Sequence, residues 1–81
     1  MAKLRDIVKN QNYPIIEIRE KVTDSKGKVL DLFTGYCSYV RGKLTALDGG
    51  SYSLDDEYET SAEWEDDEEG TCLSVWIKSE S

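Results

Sequence analysis

The sequence has 81 residues, a formal net charge of −7 and no histidine, so it lacks the commonest general base of enzymes. Its length fits one small domain over residues 1–81, with a modest core and little room for an enclosed active-site cleft. The negative charge argues against direct binding to nucleic acid or an anionic membrane, and the lack of a long apolar run or signal-peptide core predicts a cytoplasmic protein.

The N-terminal residues predict a short amphipathic helix. Leu4, Ile7 and Val8 follow helical spacing, so we expect a helix over residues 2–10. Pro14 would end any continuation of it. Because so short a helix is unstable alone, we expect it to pack on a sheet.

A β-hairpin is predicted next. Residues 15–22 alternate as a strand does, and the turn that follows carries Gly27, which suits a positive φ. Residues 29–40 are apolar on both faces, which predicts a central strand. Gly35 within them indicates a bulge or the close approach of another backbone.

The middle of the chain predicts a second turn and a short strand. Arg41-Gly42 forms the turn, and residues 43–47 form a strand that Asp48-Gly49-Gly50 breaks. Residues 51–56 fit either a strand or a loop.

Two further strands are predicted at residues 57–64 and 72–77, across a turn at residues 66–70. If their apolar residues share one face, three glutamates and a tryptophan face outward together: Glu57, Glu59, Glu63 and Trp76. The predicted fold is therefore α+β, with one short N-terminal helix packed on a mainly antiparallel sheet of four or five strands.

Acidic residues crowd the second half of the chain. Residues 55–69 hold ten carboxylates in fifteen positions, and no Lys or Arg lies between Lys43 and Lys78. Crowded like charges cost stability, so we expect an external, positively charged protein partner; the alternative is a solubilising surface. The candidate partner-binding residues are Asp55, Asp56, Glu57, Glu59, Glu63, Glu65, Asp66, Asp67, Glu68, Glu69 and Trp76.

The density of these charges suggests phosphate mimicry. A hairpin of fifteen residues covers about 25 Å, which places one charge per ~2.5 Å, against one per ~1.7 Å of duplex DNA. A groove lined with Lys and Arg in a nucleic-acid-binding enzyme could therefore accept this surface in place of phosphates.

Other chemistries have weaker support in the sequence. No nucleophile elbow, P-loop or dinucleotide fingerprint occurs, so no catalytic residue and no cofactor is predicted. Carboxylate clusters can bind Ca²⁺, but the spacing of an EF-hand is missing and no metal site is predicted. Cys37 and Cys72 lack CxxC spacing, so we expect buried or half-buried thiols, with a disulfide only if the protein is exported.

Two pieces of the chain resemble small acidic phage-encoded anti-CRISPR proteins. Residues 6–13, DIVKNQNY, look like their opening, and residues 63–69, EWEDDEE, followed by an apolar strand and Lys78-Ser79-Glu80, look like their end. The resemblance implies an inhibitor in the host cytoplasm that occupies the DNA-binding cleft of an RNA-guided nuclease, its acidic segment standing in for phosphates. Residues 22–54 depart from the pattern, and the last helix expected there is missing.

The alternative function is a non-enzymatic interaction module, such as an immunity- or antitoxin-like subunit, without nucleic-acid mimicry. The sequence leaves the oligomeric state open, although an unpaired strand edge could join two copies.

Overall fold

The computed structural model describes residues 2–9 and 11–77, and most of them lie in strands. In chain order the elements are β1 (Ala2–Lys3), α1 (Leu4–Val8), β2 (Tyr13–Thr23), β3 (Val29–Val40), β4 (Lys43–Ala46), β5 (Glu57–Tyr58), β6 (Thr60–Asp66) and β7 (Gly70–Ile77). Within those residues no helix is long and apolar enough to cross a membrane.

Five strands form the main sheet, in the order β4-β3-β2-β7-β6. The central pair, β2 and β7, is parallel, and the other three pairs are antiparallel. β1 and β5 form a separate two-stranded sheet. The predicted combination of a short N-terminal helix with a mainly antiparallel sheet is therefore confirmed, although strands dominate the fold.

The helix is shorter than predicted. Residues 2–3 belong to β1, where they pair with β5, and α1 occupies only Leu4–Val8. Lys9 adopts a left-handed φ of 43°, which ends the helix one turn after it starts. Asn10, the last residue of the predicted helix, lies outside the described residues.

The core lies between one face of the main sheet and a layer made by α1, β5 and the loop before it. Alternation along β2 and β7 sends every second side chain to this face, and fully burying one Leu, Ile or Val contributes about 1.5–3 kcal/mol. The buried members are Leu4, Val8, Tyr13, Ile16, Ile18, Cys37, Tyr39, Tyr58, Leu73 and Val75. We call the opposite side of the sheet the open face.

The predicted first hairpin is confirmed, with β2 and β3 antiparallel. Gly27 has a φ of 81°, the positive value expected for the turn. The Asp24 carboxylate accepts hydrogen bonds from the Lys26 and Lys28 backbone N–H groups, at 2.8 and 2.9 Å. Asp24 therefore fixes the turn through its own side chain.

Gly35 lies beside a bulge, one of the two features that its place in the sequence suggested. The register between β2 and β3 shifts next to it, between Ile18 and Arg19, so the strand is bulged there. A Cβ at Gly35 would overlap the side chains of Asp48 and Tyr52. The groups that approach this glycine are therefore side chains, where the sequence had suggested another backbone.

The centre of the sheet is occupied by β2, whereas the sequence had suggested residues 29–40. β3 lies between β2 and β4. The Arg41-Gly42 turn is confirmed, with both residues at positive φ, and β4 ends one residue before the predicted boundary. After β4, residues 47–56 form a loop that leads into β5.

Candidate protein-binding surface

The register of β6 and β7 corrects the predicted outward face. Glu63 lies opposite Leu73, and Thr60 lies opposite Trp76. Residues directly opposite one another share a face, and odd and even positions of one strand point to opposite faces. Glu63 and Trp76 therefore point to different sides of the sheet, so the predicted shared outward face of four residues is wrong: Glu57, Glu59, Glu63 and Trp76.

The predicted strand over residues 57–64 is also divided. Glu57 and Tyr58 form β5, which pairs with β1. The Glu59 N–H then donates to the Trp76 carbonyl at 2.8 Å, and β6 begins at Thr60. Glu57 and Glu63 consequently belong to different sheets.

The ten predicted carboxylates fall into two groups. Asp55, Asp56 and Glu57 lie at and before β5, beside the C-terminal end of β7. The other seven, which we call the acidic edge, lie on β6, immediately before it, and in the turn after it: Glu59, Glu63, Glu65, Asp66, Asp67, Glu68 and Glu69. β6 is an outermost strand of the main sheet, and its six residue steps at roughly 3.3 Å extend about 20 Å.

The cations of the described residues leave the acidic edge largely unneutralised. Among the described residues, the only member of the ten that forms an ion pair is Asp55, with Arg5 of α1. The other described ion pairs join Arg19 to Glu17 and to Asp31, away from the edge. The negative charge of the edge is therefore exposed to solvent and to any partner.

Three carboxylates of the acidic edge also hold the fold together. Each accepts a hydrogen bond: Glu63 Oε1 from Tyr13 Oη at 2.7 Å, Glu65 Oε1 from Thr71 Oγ1 at 2.9 Å, and Asp66 Oδ2 from the Glu69 N–H at 3.2 Å. Burial and the Glu63 carboxylate raise the pKa of Tyr13 to about 12. These three carboxylates therefore contribute to the fold itself.

The remaining side chains of the acidic edge have no such use within the described residues. Glu59, Asp67, Glu68 and Glu69 are exposed, and their carboxylates form neither hydrogen bonds nor ion pairs there. These four residues are the ones most available to a partner.

Trp76 points to the open face from β7, the strand that pairs with β6. Its indole N–H donates to Asp31 Oδ2 at 3.1 Å, and Lys21 Nζ lies 5.3 Å from the ring centroid. Phe33 and Tyr36 are exposed nearby on β3, with ring centroids 4.5 Å apart. Phe33 and Tyr36 belong to the apolar pattern of residues 29–40. That pattern predicted a covered central strand, whereas the structure shows these two rings exposed.

A cleft of about 510 Å³ opens at the edge of the core, where the loop before β5 meets β2 and β7. This cleft could not be predicted from the sequence because its walls come from distant segments. Six of its lining residues are Ile18, Tyr52, Asp56, Glu57, Tyr58 and Ile77.

The two cysteines are buried free thiols, which confirms their predicted burial. Burial raises the pKa of Cys37 to about 12, so this thiol stays protonated and unreactive near neutral pH. Over residues 2–9 and 11–77, no group of three or more potential ligands is placed to hold a metal ion.

Comparisons with protein-family models, with curated proteins and with solved structures find no match to this chain.

Proposed function

We propose that this chain is a small non-enzymatic inhibitor that binds a positively charged protein through its acidic edge. The partner is a DNA- or RNA-handling effector, such as a CRISPR nuclease in the host cytoplasm, and the carboxylates replace nucleic-acid phosphates in its groove. The observation that supports the proposal is that seven carboxylates lie along one outer strand and its turn with no ion pair among the described residues.

The spacing of the charges supports mimicry of one nucleic-acid strand. The seven carboxylates extend from Glu59 into the turn after β6; the eight residue steps from Glu59 to Asp67 cover about 26 Å, which places one charge per ~4 Å, and one strand of duplex DNA carries one per ~3.4 Å. A groove that binds a phosphate backbone would therefore meet a similar charge density on this edge.

Protection of the strand edge explains only part of the charge. Charged side chains on an outer strand prevent edge-to-edge pairing between copies, which accounts for Glu63 and Glu65 on β6. Asp67 and Glu68 lie in the turn beyond the strand ladder, where there is no edge to protect. Their placement favours an external cationic partner.

A pull-down from bacterial lysate, followed by mass spectrometry and competition with DNA, tests the proposal. The edge variant Asp67→Asn/Glu68→Gln removes two charges that make no described contact, and Asp6→Asn/Glu20→Gln removes two charges elsewhere as the control. We expect the edge variant alone to bind about tenfold more weakly at low salt, a loss of ~1.4 kcal/mol. Wild-type binding should weaken steeply with salt and be displaced by DNA.

Equal binding by the two variants, or a captured partner that DNA does not displace, would reject phosphate mimicry. The second result would favour the alternative, an interaction module such as an immunity- or antitoxin-like subunit. The exposed Phe33 and Tyr36 on the open face support that alternative, since aromatic side chains are enriched at protein interfaces. If Phe33→Ser no longer binds the captured partner and the edge variant still does, the interaction-module alternative is supported.

A further inference from the structure

Among the described residues, the side chains that line the cleft beside β5 are acidic, hydroxyl-bearing or apolar. Ile18 and Ile77 supply apolar walls, and Tyr52 and Tyr58 add aromatic ones. Two carboxylates, Asp56 and Glu57, also line it, whereas no Lys or Arg does among the described residues. Its volume of about 510 Å³ lies within the range of small-ligand sites, roughly 300–1,000 Å³.

Tyr58 brings a largely buried tyrosine side chain to the wall of the cleft. The residue is only 3% exposed, yet its hydroxyl has no hydrogen-bond partner among the described residues. Burial, with a contribution from Asp56, raises the pKa of Tyr58, so the phenol stays neutral. Among the described residues, the indole N–H of Trp64 is the only fully buried side-chain polar group without a hydrogen bond, so the Tyr58 hydroxyl is not sealed in the core and is available to a ligand in the cleft.

The carboxylates beside it are also incompletely used. Asp56 Oδ2 accepts the Ser53 N–H at 2.9 Å, which leaves Oδ1 without a partner among the described residues. Glu57 is exposed and forms no described ion pair, although Lys3 is its cross-strand neighbour. The cleft therefore offers two carboxylates and a phenol oxygen to a donor of hydrogen bonds.

We infer that this cleft binds the side chain of an arginine from the cationic partner, an inference that rests on the proposed function. A guanidinium carries five N–H donors and no acceptor, which matches the acceptors of Asp56, Glu57 and Tyr58. Its aliphatic stem would lie on Ile18 and Ile77, and its flat face can stack on an aromatic ring. An ammonium group lacks that plane, so lysine should bind more weakly.

Titration of the ¹⁵N-labelled full chain with N-acetyl-arginine-N-methylamide tests the cleft without any partner. We expect a saturable shift of amide signals around Ile18 and residues 52–58, with a Kd of about 1 mM, and weaker binding of the lysine analogue. The glutamate analogue, which carries the opposite charge, should cause no saturable shift. Shifts confined to the acidic edge, or equal binding of all three probes, would overturn the inference.

Three variants sharpen the test. Glu57→Gln and Tyr58→Phe should each weaken binding of the arginine probe about three- to tenfold, since each removes one hydrogen-bond partner. Neither removes a described hydrogen bond of the fold, so both should unfold at nearly the wild-type urea midpoint. Glu68→Gln, in the turn beyond β6, is the charge-matched control for Glu57→Gln and should bind the probe as the wild type does.

This experiment separates the two proposals. Loss of probe binding in Glu68→Gln as large as in Glu57→Gln would show a diffuse charge effect and overturn the cleft. If the cleft binds the arginine probe but no partner binds the acidic edge, the proposed function is rejected and the guanidinium site remains. The arginine that occupies the site would then come from another source.

Discussion

Asp48 ties the loop after β4 to strand β3 through one carboxylate. Its two oxygens accept the Tyr36 N–H at 3.0 Å, the Gly50 N–H at 2.8 Å and the Tyr52 hydroxyl at 2.7 Å. These hydrogen bonds, that of Tyr52 foremost, lower the pKa of Asp48. Gly35 lies directly beneath and has no side chain to obstruct them. The position of Tyr52, a wall of the cleft, therefore depends on this arrangement.

Replacing Gly35 by alanine should disrupt that arrangement. The new Cβ would overlap both Asp48 and Tyr52, so the loop must move away. We expect Gly35→Ala to lower the free energy of unfolding by about 1–3 kcal/mol, measured by urea denaturation, and to abolish binding of the arginine probe. Ser38→Ala, in the same strand, is the control; equal stability of the two variants would contradict the expectation.

The Tyr13–Glu63 hydrogen bond predicts a dependence of stability on alkaline pH. Burial, and then the Glu63 carboxylate, raise the pKa of Tyr13 from 10.0 to about 12 in the folded protein, so the neutral phenol is favoured there. Its contribution is complete below pH 10 and is lost as the pH rises to about 12.

We therefore expect Tyr13→Phe to be less stable than the wild type by about 1 kcal/mol at pH 8, with the difference narrowing between pH 10 and 12. Urea denaturation across this range measures it, and Tyr36→Phe, an exposed tyrosine, is the control. A difference that does not change with pH would contradict the raised pKa of Tyr13.

At the scale of elements, β6 and its turn combine a pairing role with a concentration of charge. Asp66 pairs with Gly70, so the turn between them consists of three consecutive acidic residues: Asp67, Glu68 and Glu69. Their mutual repulsion acts in the folded state and weakens as salt screens it.

The double variant Asp67→Asn/Glu68→Gln should therefore be more stable than the wild type at low salt. We expect a gain of a few tenths of a kcal/mol, about 0.3, at 10 mM salt that disappears near 1 M, measured by thermal unfolding. Asp6→Asn/Glu20→Gln gives the comparison for the same change of net charge. A loss of stability in the turn variant would mean that these carboxylates support the fold.

The elements that sequence predicted well are those set by local chemistry. Gly27 and the Arg41-Gly42 pair mark turns because few residues accept a positive φ, and the hairpins around them follow. The register of β6 on β7 was missed because both faces of β6 are partly exposed, and alternation then carries little information. No residue between β2 and β7 indicated that these two strands would pair in parallel.

At the scale of the molecule, the fold depends on contacts between distant parts of the chain. Ile16 pairs in parallel with Leu73, and Ile18 with Val75. No local pattern could have placed β7 beside β2, since hydropathy predicts strands but not their order. The cleft could not be predicted for the same reason. The sequence marked the ten carboxylates as candidates, but it did not predict that the fold divides them into two groups.

Leu73 should be among the most sensitive positions in the chain. It is 2% exposed in the central pair of strands, so truncation leaves a cavity. We expect Leu73→Ala to cost about 2–5 kcal/mol of unfolding free energy by urea denaturation. Leu47→Ala, where the side chain is 54% exposed, should change it by less than about 0.5 kcal/mol. Similar losses in both variants would place the core elsewhere.

The parallel pairing of β2 with β7 also governs when the protein can fold during its synthesis. A nascent chain that has left the ribosome only as far as residue 69 already contains β2, β3, β4 and β6, yet the strand that joins β2 to β6 is still inside the exit tunnel. The β2–β3 hairpin can form early, but Ile16 and Ile18 stay uncovered on one side until β7 emerges. Translation of this chain therefore includes an interval in which a chaperone would find an apolar strand to bind.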